Sequence, residues 1–177
     1  MQSLAVRLNP VRLIDPAVFR RPGSYLIQCC FATFALFWML LLQDVLLKAA
    51  IVVAVASTAC IILIVPDSLA ASPRKVVGGH AVGVIVGSFF SAILMIPSVE
   101  MAVERFRIVL GVIAALSVGI SILGMVATNT EHPPAAGTAL GLVVHGWSIS
   151  AVVFIISGAP ALSVVRVILR PRLVNLL

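Results

Sequence analysis

The sequence predicts an all-α membrane protein with about five transmembrane helices, two helix–loop–helix units among them forming a candidate internal repeat. Three observations predict it. The 177-residue chain is 62% hydrophobic and only 10% charged, with a mean hydropathy of +1.22, whereas a soluble domain carries roughly a quarter charged residues. Its apolar residues form long uninterrupted runs, and a bilayer core about 30 Å thick needs about 20 helical residues at about 1.5 Å each. Every backbone amide inside lipid must find a partner, which a helix provides within one segment. The short alternating segments of a transmembrane barrel do not occur in the sequence.

Taken in order, residues 1–23, MQSLAVRLNPVRLIDPAVFRRPG, form a basic N-terminal segment. Three prolines and Asp15 interrupt it, so it lacks the apolar stretch and cleavage site of a signal peptide. Arg7, Arg12, Arg20 and Arg21 among Leu, Val and Ile suit an interface with anionic headgroups; a loosely ordered basic tail is the alternative. Residues 24–157 form the transmembrane domain, with spans at Ser24–Gln43, Ala49–Val65, His80–Pro97, Ile108–Thr128 and Pro134–Ile156, none containing Asp, Glu, Lys or Arg. Residues 158–177 form a basic C-terminal segment, whose part after Pro160 is expected to lie along the surface.

The formal charge of +6 belongs to these flanks and reads as membrane anchoring, not as a nucleic-acid footprint. Cys29, Cys30 and Cys60 lie in apolar runs without zinc or redox spacing and read as helix-packing residues, so neither metal nor cofactor is expected. Orientation is tied. One side of five crossings collects Arg7, Arg12, Arg20, Arg21, Arg74 and Lys75, and the other Lys48, Arg105, Arg107, Arg166, Arg170 and Arg172.

The repeat rests on GHAVGVIV (Gly79 to Val86) and GTALGLVV (Gly137 to Val144), each opening a span after a loop with Pro and His. A unit of helix, loop and helix used twice in one orientation places both loops on one side of the membrane. Gly79, Gly83 and Gly87 recur every four residues, as do Gly137 and Gly141. Small residues at that spacing let helix backbones approach closely, either within one subunit or between two.

The loop before the last span reads EHPPAAGTAL. Pro133 and Pro134 stand where a helix starts, since proline lacks an amide that would be unsatisfied there and its φ already fits. Ala135, Ala136, Gly137 and Thr138 then leave a narrow first turn with uncovered backbone donors, and Gly78 and Gly79 do the same for the other helix. Such helix N-termini attract anions. Arg74 and Lys75 add positive potential, which Asp67 and Glu131 moderate. His80 and His132 are polar donors at this mouth, and each alone would serve equally as a cap. His145 lies roughly 16 Å beyond Pro134 along the helix, deep in the membrane, where it either lines a path or meets a hydroxyl such as Ser57, Thr58, Ser88, Ser117 or Ser121. No carboxylate sits within a span to hold a coupling cation, so an anion or neutral solute fits better.

EHPPAAGTAL resembles the signature of the HPP family of integral membrane proteins, and PDSLAASPRKVVGGH resembles its other signature, a Pro and Ser segment running into PRN and GGH. The resemblance covers roughly residues 49–156. His132, Pro133 and Pro134 match the naming motif, Gly137, Thr138 and Ala139 its continuation, and Pro73, Arg74, Gly78, Gly79 and His80 the second motif. The sequence departs at Ala136 and Gly137, where the glycine comes one position late, at Lys75, which replaces Asn, and at Ala70 to Ser72. The resemblance implies nitrite transport, with a substrate open to change because the departures fall at the mouth.

The sequence thus points to transport of a small inorganic anion, nitrite first, past Arg74, Gly78, Gly79, His80, His132–Thr138 and His145. Two other readings compete. A membrane scaffold would use the glycine ridge for assembly and the loop residues only as caps. A membrane enzyme would need a nucleophile with a base, or a metal site, and no triad or HExxH pattern occurs. Five helices enclose little of a path alone, so a homo-oligomer, a dimer first, is expected. The expected setting is a bacterial inner membrane.

Overall fold

The computed structural model describes residues 22–23, 26–27, 30–31 and 49–176. The N-terminal segment and nearly all of the first expected span, 24–43, lie outside the described residues. Within them the chain is helical, without strands: α1 (Ala49–Ile64), a 3-10 turn (Leu69–Ala71), α2 (Pro73–Leu94), α3 (Pro97–Arg105), α4 (Arg107–Thr128), α5 (Pro133–Val144) and α6 (Ile149–Leu169). Three of these, α2, α4 and α6, are long and apolar enough to cross a membrane; α1 and α5 are shorter apolar helices. The chain is an integral membrane protein.

Local chemistry sets most of the boundaries. Pro73 and Pro97 occupy first-turn positions of α2 and α3, where their missing amide costs nothing. α4 ends on Asn129 in the left-handed region (φ 53°), with Asn129 N–H donating to the Val126 carbonyl at 3.2 Å and Thr130 N–H to the Met125 carbonyl at 2.8 Å. That bonding pattern closes the last carbonyls, and Asn tolerates the conformation. Ser148 caps α6 by accepting from Ala151 N–H at 3.3 Å.

The expected span Pro134–Ile156 is two helices. Gly146, at φ +77°, makes the turn between α5 and α6 that a side chain would strain. α6 then passes through Pro160 to Leu169, so it runs across the expected boundary at 157/158 instead of leaving a surface segment there. α2 begins seven residues earlier than expected, because Pro73 starts it. Residues 98–107, left between two expected spans, hold most of α3, which has no buried residue.

α2 and α5 form the most extensive pair, with α1 and α4 also against α5 and α6 against α1 and α2. The contact uses the glycine ridge. A Cβ on Gly83 would lie 2.5 Å from the Ala135 carbonyl oxygen, and one on Gly87 would lie 3.0 Å from Ala139 Cα. The ridge therefore packs one subunit internally. Above and below it sit apolar clusters: Val55, Ile62, Leu63, Val76 and Leu162 at one end, Ile51, Leu142 and Ile155 further along. Val53, Ile85, Leu116, Leu123, Val153 and Val164 point outward, as a lipid-facing surface requires. Cys60 is also exposed, which corrects its reading as a packing residue.

Candidate functional site

Four buried polar side chains meet where α1, α2 and α5 converge. Thr58 and His132 are 0% exposed, Thr138 0% and His80 1%, in surroundings that are otherwise apolar. A buried polar group without a partner costs about 1–3 kcal/mol, and here each has one. Thr58 Oγ1 lies 2.9 Å from His80 Nε2 and 2.8 Å from His132 Nε2. His80 Nδ1 lies 2.9 Å from Thr138 Oγ1, and His132 Nδ1 lies 2.9 Å from the Ala70 carbonyl. The two rings stand 5.3 Å apart at 57°.

The hydrogens in this chain follow from its end. The Ala70 carbonyl can only accept, so His132 carries its hydrogen on Nδ1, and Nε2 of the neutral ring accepts. The single Thr58 hydrogen then goes to His132 Nε2. His80 must donate from Nε2 to Thr58, leaving its Nδ1 to accept from Thr138. One carbonyl in the 3-10 turn thereby fixes the tautomers of two histidines. Thr58 Oγ1 also lies 3.1 Å from the Ala54 carbonyl of its own helix, a second acceptor for the same hydrogen.

The segment 130–135 enters the bundle instead of lying on it. A Cβ on Gly79 would meet His132 Cβ at 2.7 Å, and one on Gly78 would meet Thr130 Cγ2 at 2.5 Å. Both loops lie on one side, as the sequence required, and the second is sunk to the level of Gly79, roughly 9 Å along α2 from Pro73. The α1–α2 and α4–α5 units run in the same directions, although α2 has 22 residues and α5 has 12.

That depth corrects the picture of open amides. Gly78 and Gly79 are in the second turn of α2, where amides belong to the helix ladder. Pro133 and Pro134 have no amide, and Ala135 N–H donates to the His132 carbonyl at 2.9 Å. Thr138 and His80 join the polar chain; Gly137 packs against Ala54, its added Cβ falling 3.3 Å away. His145 is corrected too. Because α5 starts below the surface, the same distance along it carries His145 out to the far end, where it caps the helix and is exposed. Four of the five hydroxyls offered as its partners serve elsewhere: Thr58 in the histidine chain, Ser88 accepting from Trp147 Nε1 at 3.0 Å, Ser117 and Ser121 donating to Ala114 and Val118 carbonyls. Sequence reasoning missed Thr58 as the hub, and its signal was only a hydroxyl within a span.

Beside His132 a cleft of about 230 Å³ opens between α4 and α5, lined by Ile122, Met125, Val126, Glu131, His132, Pro133 and Ala136. The charges above it are engaged. Lys75 Nζ pairs with Glu131, and Arg74 donates to the Thr128 carbonyl at 3.4 Å. Arg170 pairs with Asp67, and Arg166 donates to the Pro66 carbonyl at 2.7 Å. Glu131 is held below the usual carboxylate range, chiefly by the hydrogen bond from Lys75. Among the described residues no group of three or more His, Cys, Asp or Glu could hold a metal ion.

The profile of the HPP transmembrane region matches residues 19–174. Two transmembrane proteins of Dictyostelium discoideum are 36% and 35% identical to the chain over 85 residues, 48% of it in each case. The match covers 27% and 24% of those proteins, so the chain spans about a quarter of the length of the curated relatives it matches. No solved structure matches.

Proposed function

Because the chain belongs to the HPP transmembrane family, we propose that it carries a small inorganic anion, nitrite first, across the membrane, with the Thr58–His80–His132 chain as its polar centre. One observation carries the reading: two fully buried histidines, joined through a hydroxyl, lie within a lipid-facing bundle beside a cleft of about 230 Å³. Ionisable groups at such depth are expensive and are kept where a polar solute passes. The donors that meet the anion are side-chain donors, released when the His132 ring turns from Ala70 toward the cleft. Arg74 at the rim draws the anion, while Gly78, Gly79 and Ala135 serve the close packing that seats His132. Pro133 and Ala136 line the approach, and Pro134 and Gly137 shape the turn behind it.

The competing scaffold reading treats the chain as a fastener between α1, α2 and α5. Purified protein in proteoliposomes separates them. Transport predicts nitrite flux above that of empty liposomes, reduced at least tenfold by His132→Ala in protein that still elutes as a folded species. A scaffold predicts lower folding yield and no flux in either; absence of flux for nitrite and for other small anions sinks the proposal. A transporter and not an enzyme, working as a homodimer, completes the reading. The bacterial inner membrane proposed from the sequence gains nothing from relatives in Dictyostelium.

A further inference from the structure

Thr58 has one hydrogen and two acceptors within reach, the His132 ring and the Ala54 carbonyl, and from this we infer that the chain takes up one proton together with the anion. The inference rests on the transport reading above. In the neutral chain Thr58 accepts from His80 Nε2–H and donates to His132 Nε2. Let one proton add to His132 Nε2. Thr58 then accepts from both rings and turns its hydrogen to Ala54, 3.1 Å away. Before the ring turns to the anion, His132 Nδ1–H still meets Ala70, and His80 Nδ1 still accepts from Thr138. One N–H bond forms, none breaks, and every donor remains paired without movement of a heavy atom.

A second proton has no such place. It would add to His80 Nδ1, which faces the Thr138 hydroxyl, and would set two cations with ring centres 5.3 Å apart in a buried site. The capacity is therefore one.

Among the described residues no carboxylate inside the bundle compensates the resulting cation. α1 carries no charged residue, and neither do α4 and α5 beyond Arg107 and His145 at their far ends. The charged groups of the other packed elements are Arg74 and Lys75 on α2, Asp67 and Glu131 in the loops, and Arg166, Arg170 and Arg172 near the end of α6. Glu131 and Asp67 are already paired with Lys75 and Arg170. A buried unpaired charge is costly, so an anion in the adjoining cleft favours protonation and protonation favours the anion, by the same factor. Proton and anion then cross as a neutral pair, which selects conjugate bases of weak acids.

The test is nitrite accumulation in proteoliposomes with an imposed pH gradient at clamped membrane potential, with an internal pH dye. Empty liposomes set the rate at which nitrous acid crosses bare lipid. Wild type is expected to take up one proton per nitrite, with an initial rate at least tenfold above that background and driven by the pH difference at zero membrane potential. Thr58→Val should return the initial rate of proton-coupled uptake to that of empty liposomes, and Thr58→Ser, which keeps the hydroxyl, should restore it and so exclude a folding defect. Nitrite flux that follows membrane potential without proton uptake, or Thr58→Val behaving as wild type, overturns the inference and leaves transport standing. Absence of any flux overturns both, and the nitrite signal tells the two failures apart.

Discussion

Two kinds of polar contact hold the 128–138 segment, and they differ in what pH does to them. The Lys75–Glu131 pair is at the rim, and the carboxyl is held low first by the Lys75 hydrogen bond and then by a backbone hydrogen bond, with burial opposing. A carboxyl lowered on folding adds stability above its unfolded value, near pH 4.3, and that contribution is lost as pH falls through the lower folded value. Wild type should therefore be more stable than Lys75→Gln at pH 6, with the gap closing as pH drops toward 3. Thermal unfolding in detergent across that window checks it, and a gap that widens on acidification would contradict the pairing. The pair was legible only in part, because Lys75 and Glu131 are 56 residues apart and nothing local joins them.

The helices show which glycines are structural. On α2, Gly83 faces the Ala135 carbonyl so closely that an added methyl would fall 2.5 Å from it. A backbone oxygen cannot swing aside, so Gly83→Ala must part α2 from α5. The expected cost is about 1–3 kcal/mol, together with loss of the Thr138–His80 contact. On α4, Gly111 meets nothing within 4 Å, and Gly111→Ala should be neutral or stabilising by up to about 1 kcal/mol through helix propensity. Thermal melts of both variants decide it; equal effects would mean that the α2–α5 approach is not what it is described to be. The spacing of four announced a close contact, and only the fold identified α5 as the partner.

The whole molecule gathers one set of loops at one end. Leu176 N–H donates to the Ile64 carbonyl at 3.0 Å, and Arg170 reaches Asp67, so the chain past α6 returns to the side of residues 65–72. The break at Gly146 is responsible, since it makes α6 a separate crossing. Among the described residues that end carries Arg74, Lys75, Arg166, Arg170 and Arg172, against Arg105 and Arg107 at the other. The tie in the sequence count is thereby broken, and the positive-inside rule predicts that the 65–72 and 129–132 loops face the cytoplasm. Single cysteines at Leu69 and Asn175 in a cysteine-free protein should react with an impermeant thiol reagent from the cytoplasmic side, and one at Met101 from the other. Leu69 and Asn175 labelling from opposite sides would refute the topology.

Composition and run length alone made this a helical membrane protein, because no soluble surface can be built from a tenth charged residues. The His-Pro-Pro and Gly-Gly-His stretches alone marked two of the segments whose buried polar side chains meet, and gave its family. Both properties are local, set by solvent and by backbone geometry at individual residues. Depth, by contrast, was decided only by tertiary structure. Close packing of residues 130–135 onto the α2 glycines sinks the start of α5 by about two turns. That shift closes the Gly78, Gly79 and Ala135 amides expected to be open, brings Thr58 between His80 and His132, and carries His145 to the far end. A sequence specifies distance along a helix, whereas the level at which that helix begins is fixed by what it packs against.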